Sequence, residues 1–251
     1  MKLKISEVQK FTIDTLISFA FESSEAEIIT ENFIQAELAG RKPHGLNKLP
    51  VIKKVLGYKF DTSSKYFDYI ELDKSKKVEI IAESENHLYL NANFRSGYLA
   101  IHESLQKSLV KARKVPVFAV SIKDMGFASG YIGAYANLAV DNDLIYIGFH
   151  NSSGGLNYYG SKVDPLATNP ITIGLPSRKT NVIIDTSMAK LNWNDIEKAR
   201  LEKTKLPKGV AIDESGEDTT DPEKAFSVKS IEGHKGTALA YGVELLAGAL
   251  S

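Results

Sequence analysis

Residues 115–151, "VPVFAVSIKDMGFASGYIGAYANLAVDNDLIYIGFHN", decide the fold. They open on an apolar run at 115–122 and pass through a turn holding Gly126, Gly130 and Gly133. A stretch of small residues follows at 129–142, and a second apolar run closes the segment at 144–151. That order predicts strand, glycine-rich turn, helix, strand. Such a passage invites a dinucleotide-binding interpretation, which needs G-x-G-x-x-G spacing and an acidic residue ending the next strand. Here the spacing is different and the second run ends in His150 and Asn151. The turn therefore reads as a tight strand-to-helix connection inside a layered α/β core.

Towards the C-terminus, "ITIGLPS" (171–177) and "NVIIDTS" (181–187) add two more apolar runs. Continuous apolar strands imply burial on both faces. The expectation is that 116–122, 144–149, 171–175 and 181–185 lie in one sheet with helices on both sides. Residues 190–225 are charged and polar, with Pro207 and Pro222, and read as a short helix followed by a surface excursion. "GHKGTALAYGVELLAGALS" (233–251) reads as a helix suited to burial. It is still apolar at Ser251, without a cap, so further chain or another subunit is expected to cover it.

Towards the N-terminus, "SEVQKFTIDTLISFAF" (6–21) places Val8, Phe11, Leu16 and Phe19 near a 3.6-residue period behind Ser6 as N-cap. "SSEAEIITENFIQAELAG" (23–40) repeats the scheme, with Ile28, Ile29, Phe33, Ile34 and Leu38 inside and Gly40 as the stop. A third helix is expected from about His44 to Leu56, ended by Gly57. "YFDYIEL" (66–72), "KVEIIAES" (77–84) and "HLYLNA" (87–92) read as short strands, and "SGYLAIHESLQKSLVKARK" (96–114) as an amphipathic helix. The change near Val115 divides the chain into a helical and small-β region, 1–115, and an α/β region, 116–251.

Composition narrows the function. The 251 residues are 43% hydrophobic and 25% charged, and 31 basic residues balance 31 acidic ones. No net field draws nucleic acid or an anionic membrane, and neither is expected as a partner. The absence of cysteine removes disulfides, thiolate nucleophiles and cysteine–zinc sites, and no metal centre is expected. Glu7, Lys10 and Asp14 interrupt the N-terminal stretch, so it does not read as a signal peptide, and no run reaches the ~20 apolar residues of a membrane helix. A soluble cytoplasmic protein is expected.

The candidate chemistry begins in "AELAGRKPHGLNKLP" (36–50). Pro43 suits an opening helical turn, which would put His44 and Lys48 on one face. An imidazole beside a cation suits proton transfer at a carbonyl next to a carboxylate. The plainer alternative is a solvated helix start. Asp185 ends an apolar strand, where a carboxylate needs a partner, or else simply caps the next turn. Lys235 ahead of a helix could neutralise a phosphate, with Gly233 and Gly236 allowing close approach. The alternative is an exposed basic loop.

Five segments in order carry a resemblance: "AELAGRKPHGLNKLP", "LATNPITIGLPS" (166–177), "VIIDTSMA" (182–189), "DESGEDTTDPEKAF" (213–226) and "EGHKGTALAYGVELLAGALS" (232–251). Together they resemble the malate/L-lactate dehydrogenase family that lacks a Rossmann fold. That family also includes ureidoglycolate and sulfolactate dehydrogenases, diketogulonate reductase and a cyclic-imine reductase. The resemblance runs from about residue 5 to the last. It implies an α/β fold, three-layer α/β/α around a mixed, largely antiparallel sheet with an N-terminal helical segment, usually as a homodimer. It implies hydride transfer between NAD or NADP and C2 of a small 2-hydroxy or 2-oxo acid, or a cyclic imine. His44 is then the proton donor or acceptor, Asp185 works with it, and Lys48 holds the substrate carboxylate. Thr186, Ser187 and Met188 line the cofactor, as does the turn with His234 and Lys235.

The departures from that family carry information too. Pro43 replaces the usual serine, and Lys48 replaces an arginine, so a bidentate grip becomes a point charge. Met125 stands against the substrate where a second histidine is usual, and methionine transfers no proton. "NFRSG" (93–97) replaces a glycine-rich segment, and the family's chains continue past the final helix. The leading expectation is a 2-hydroxy-acid oxidoreductase. Its rivals are a relative that kept the fold as a binding or assembly module after losing turnover, and a truncated product.

Overall fold

The first helix turns a polar residue, Thr12, into the interior beside Leu16. In the computed structural model, which describes residues 3–55 and 76–250, helix α1 spans Ile5–Ser18 and is capped at Lys4, not Ser6. Its buried face carries Thr12 and Leu16, while Phe11 is 65% exposed. The Thr12 hydroxyl donates to the Val8 carbonyl at 2.8 Å, so burial leaves it satisfied. Helix α2, Ser23–Leu38, buries Ile29, Phe33 and Ile34 as the periodicity predicts, but Leu38 faces outward. Gly40, at φ 72°, ends it. The Arg41 N–H reaches the Ala36 carbonyl and the Gly40 N–H reaches the Glu37 carbonyl, the paired bonds of a Schellman stop.

The helix expected from His44 is not continuous. Two 3-10 turns, Lys42–His44 and Leu46–Lys48, precede helix α3, Leu49–Val55. Gly45 breaks the register between them at ψ −140°. The expected end at Leu56 and Gly57, and the strand expected at 66–72, lie outside the described residues.

Strand β1 (Glu79–Glu83) pairs antiparallel with β2 (His87–Asn91). Helix α4 (Gly97–Ala112) then leads to β3 (Ala119–Lys123), which runs parallel to β2. The three form a right-sized βαβ crossover with one added strand. Leu88 and Leu90 are fully buried and pair with Val120 and Ile122. This corrects the expectation of one sheet for all four later apolar runs. Apolar continuity reports burial, not which neighbour supplies the hydrogen bonds.

Helix α5 (Gly133–Val140) is followed by β4 (Tyr146–Phe149), β5 (Leu156–Asn157), β6 (Ile171–Leu175), β7 (Val182–Thr186) and helix α6 (Trp193–Glu202). Strands β8 (Ala211–Ile212), β9 (Asp218–Thr219) and β10 (Ser227–Lys229) lead to helix α7 (His234–Glu244) and a wider turn at Leu245–Ala249. One sheet has the order β4-β6-β7, and another β5-β10-β8-β9. In the second, β10 runs parallel to β5 and antiparallel to β8. The fold is thus mixed α/β with several small sheets. Burial on both faces is not found: Ile147, Val182 and Ile184 are 59%, 47% and 44% exposed.

The chain divides into two compact units, Met1–Tyr146 with Ile173–Ile183, and Ile147–Thr172 with Ile184–Ser251. Among the described residues of the first, Leu16, Ile29, Phe33, Ile52, Tyr98 and Leu99 belong to one apolar cluster. Phe33 meets Tyr98 edge-on at a centroid distance of 5.5 Å. In the second, Leu206, Ala211 and Ala225 pack with Leu156, Met188, Val228 and Ala240. Residues 190–225 therefore supply core, not only surface. Their strands are two residues long, too short for an alternation to stand out among charged neighbours. Among the described residues, no helix is long and apolar enough to cross a membrane.

Candidate active site

The Schellman stop at Gly40 sends the chain directly into the turn that carries His44. The His44 N–H donates to the Arg41 carbonyl at 2.8 Å, and the Lys48 N–H to the Gly45 carbonyl at 2.9 Å. Because Gly45 interrupts the register, His44 and Lys48 sit on separate turns and not on one helical face. Both side chains are half-buried. Burial pushes the Lys48 ammonium below its ordinary 10.5, since desolvation penalises the charged form. The Glu37 carboxylate, projecting from α2, accepts the Leu46 N–H at 3.0 Å.

The "NFRSG" segment and the residues after β3 are laced together. Phe94 N–H donates to the Asp124 carbonyl at 2.7 Å, Gly126 N–H to the Arg95 carbonyl at 2.8 Å, and Gly97 N–H to the Phe127 carbonyl at 3.2 Å. A Cβ at Gly126 would strike the Phe94 carbonyl, and one at Gly97 would lie 2.7 Å from the Ala128 carbonyl. These glycines admit neighbouring backbone. Met125, between them, packs against the cluster of Leu88, Leu90 and Ala100 and against that of Ile101, Ile132 and Tyr135. Further on, Asn32 of α2 grips Tyr131 twice, donating to its carbonyl at 3.0 Å and accepting its N–H at 2.9 Å. Helix α2 thus anchors both loops of this unit that carry candidate residues.

Asp185 lies on β7, half-exposed, with its Oδ1 3.5 Å from the buried Thr172 hydroxyl on β6. Its surroundings are less apolar than the quoted run implies. Beyond it Thr186 is exposed, Ser187 half-buried, and Met188 only 2% exposed within the core. The Met188 N–H donates to the Thr168 carbonyl at 2.8 Å, and the Ile231 N–H to the Met188 carbonyl at 2.9 Å. An antiparallel bridge joins Ala189 to Ser230. The residues following Asp185 and the turn ahead of α7 are therefore neighbours, which no spacing in the sequence announces.

His234 and Lys235 open α7 and are exposed. The His234 ring meets Tyr159 edge-on at 6.1 Å between centroids. Gly233 has φ 56°, and a Cβ there would lie 2.8 Å from the Tyr159 ring. At Gly236 a Cβ would strike the Ile231 carbonyl. Both glycines thus make room for the protein itself, which corrects the argument from ligand approach. The backbone N–H groups of Lys235, Gly236 and Thr237 are bonded to the Glu232, Ile231 and Gly233 carbonyls. What this helix start offers an anion is the Lys235 ammonium. His44, Lys48 and Met125 belong to the first unit, and Asp185, Thr186, Ser187, Met188, His234 and Lys235 to the second.

Two further groups escape a sequence reading. Arg95 is 3% exposed and binds Glu25 at 2.8 Å and Glu103 at 2.6 Å. In the other unit, Nδ1 of His150 is buried with no hydrogen-bond partner among the described residues, and burial pushes its pKa down to about 4. Nearby in sequence to the β6 strand, Asn169 is fully buried and donates to the Ala240 carbonyl and to Glu244, each at 2.8 Å. The other Glu244 oxygen accepts from Asn151 at 3.1 Å. The available signal was a polar residue ending or interrupting an apolar run, in "GFHN" and "TNPI".

Comparison with known proteins converges on one family. The profile described as malate/L-lactate dehydrogenase matches residues 3–251. A malate/(S)-sulfolactate dehydrogenase of Methanothermus fervidus is 30% identical over 252 residues, covering 100% of this chain and 71% of that protein. A delta(1)-pyrroline-2-carboxylate reductase of Ancylobacter novellus is 26% identical, covering 100% and 71%. The solved sulfolactate dehydrogenase of Methanocaldococcus jannaschii superposes with a TM-score of 0.81 at 28% identity, over 98% of this chain and 69% of that one. With a match along nearly the whole sequence and relatives named as dehydrogenases and reductases, the chain belongs to the malate/L-lactate dehydrogenase family and is an oxidoreductase.

Proposed function

We propose that the chain transfers hydride between NAD or NADP and C2 of a small 2-hydroxy or 2-oxo acid. The observation that carries this is the hydrogen-bonded joint between Met188 and Ile231. It sets the hydroxyls of Thr186 and Ser187 in one neighbourhood with the turn bearing His234 and the Lys235 cation. That donor set fits a phosphate-bearing dinucleotide: a point charge for phosphate, hydroxyls for polar groups, and a rigid apolar backing from Met188. Bound nicotinamide supplies or accepts the hydride. On oxidation His44 takes the proton of the C2 hydroxyl, and on reduction it returns one to the growing alkoxide, a service typically worth ~10²–10⁴-fold in rate. Lys48 holds the substrate carboxylate. Met125 provides an apolar wall, not a proton. Asp185 is the second residue of the catalytic machinery, so that losses in Asp185→Asn and His44→Asn are non-additive.

The names of the relatives define the substrate panel: malate, lactate and sulfolactate with their 2-oxo partners, and pyrroline-2-carboxylate. The test is titration with NADH and NADPH followed by nicotinamide fluorescence, then steady-state rates on that panel. Saturable binding of one cofactor and turnover of at least one acid are expected. Failure to bind either cofactor at millimolar concentration overturns the assignment and favours a binding or assembly module.

A further inference from the structure

We infer that Glu37 is a positioning residue for the proposed reaction: its carboxylate fixes the turn on which His44 and Lys48 stand. This rests on the proton-transfer role proposed for His44, but the observations behind it are separate.

The two 3-10 turns are weakly held by their own bonds. In the first, the His44 and Gly45 N–H groups reach the Arg41 and Lys42 carbonyls; in the second, the Lys48 N–H reaches the Gly45 carbonyl. The Leu46 N–H belongs to neither set. A backbone donor withdrawn from water without a partner is costly, and here the partner is Glu37 Oε1 at 3.0 Å. An ionised acceptor makes that bond stronger than a neutral one would be. Its place is also decisive, two residues after His44 and two before Lys48, so one bond sets both side chains.

Gly45 is built to receive it. A Cβ there would run into the Glu37 carboxylate, with its Cδ at 2.8 Å and its Cγ at 3.0 Å. A side chain at position 45 would therefore have to displace the Glu37 carboxylate from its place beside the turn. Glu37 in turn stands on α2, close to the stop where Gly40 N–H binds the Glu37 carbonyl. Backbone and side chain of one residue thus end the helix and orient the turn. Glu37 acts through the chain and not on substrate.

The test compares Glu37→Gln, Glu37→Ala and Gly45→Ala with wild type and with His44→Asn. Glutamine keeps an oxygen acceptor and should stay within threefold of wild type. Glu37→Ala and Gly45→Ala should each lower kcat by ten- to a hundredfold, the range for misplaced catalytic groups, with the NADH or NADPH Kd unchanged within twofold. Amide exchange at Leu46 supplies a readout independent of activity: protection should survive in Glu37→Gln and fall in Glu37→Ala. Unchanged Leu46 protection in Glu37→Ala overturns the inference, as does lost protection with kcat intact while His44→Asn abolishes turnover. A His44→Asn variant of wild-type rate instead overturns the role of His44, and that outcome is distinguishable from the other two. Should Glu37→Ala not fold, Gly45→Ala and the Gln variant carry the same comparison.

Discussion

At the residue scale, Lys48 offers the clearest pH signature. Burial lowers its pKa below 10.5, so the cation is lost, as pH rises, earlier than an ordinary lysine would lose it. If it grips the substrate carboxylate, KM should climb in the alkaline range before an ordinary lysine would titrate, while cofactor affinity stays level. In Lys48→Arg the guanidinium keeps its charge throughout that range, so the alkaline rise should vanish. Steady-state KM against pH for both proteins checks this, and a flat profile in wild type rules out the grip. The type of residue at position 48 was legible from sequence. Its shared face with His44 was not, because Gly45 at φ −93° and ψ −140° breaks a register that the spacing assumes to be unbroken.

Single elements show what periodicity can and cannot report. In β2, full burial of Leu88 and Leu90 with half-buried neighbours follows the alternation directly. The strand at β3 was legible as an apolar run, but its pairing with β2 was not, since pairing depends on where α4 returns the chain. In α1 the period pointed at Phe11, yet Thr12 is buried, because a hydroxyl bonded to its own helix can be hidden at little cost. The buried Arg95 between Glu25 of α2 and Glu103 of α4 was equally invisible, since its partners are distant in sequence. Removing one member of a buried ionic cluster strands the others, which typically costs ~3–5 kcal/mol. Arg95→Met should therefore lose stability of about that size in urea unfolding. A loss under about 1 kcal/mol, the scale of a surface pair, would show that the cluster is not structural.

The residue following β4 predicts acid sensitivity. His150 has a folded pKa of about 4, depressed by burial from 6.5. Between these values the unfolded chain binds the extra proton and the folded chain resists it. The stabilisation is complete above pH 6.5 and is lost as pH falls towards 4. A shift of this size corresponds to up to about 3 kcal/mol. Unfolding free energies measured from pH 7 to 4 should show that slope in wild type and a flatter one in His150→Asn. Equal slopes in the two proteins would remove His150 from the acid response.

At the scale of the whole molecule, the proposal is a homodimer. The motivation sits in the second unit, at the end of the chain. Leu239 and Tyr241 of α7 are 51% and 52% exposed, followed by Leu246 at 49% and Leu250 at 76%. The apolar composition of 233–251 was legible in the sequence; α7 buries Gly236, Thr237, Ala240 and Val243 and leaves other apolar side chains uncovered within this chain. On helical spacing Leu239, Leu246 and Leu250 recur at about one face, and exposed apolar side chains along one face are a surface that a second copy could cover. A C2 pair would cover them with the same surface from a second copy, which is the commonest closed symmetry. Sedimentation equilibrium at micromolar concentration should therefore report a dimer. Paired substitution of Leu239→Lys and Leu246→Lys places charge where apolar contact is needed, and should shift the protein to monomer without changing its far-UV spectrum. A wild-type protein that sediments strictly as a monomer overturns the dimer, and a dimer that survives both substitutions places its interface elsewhere.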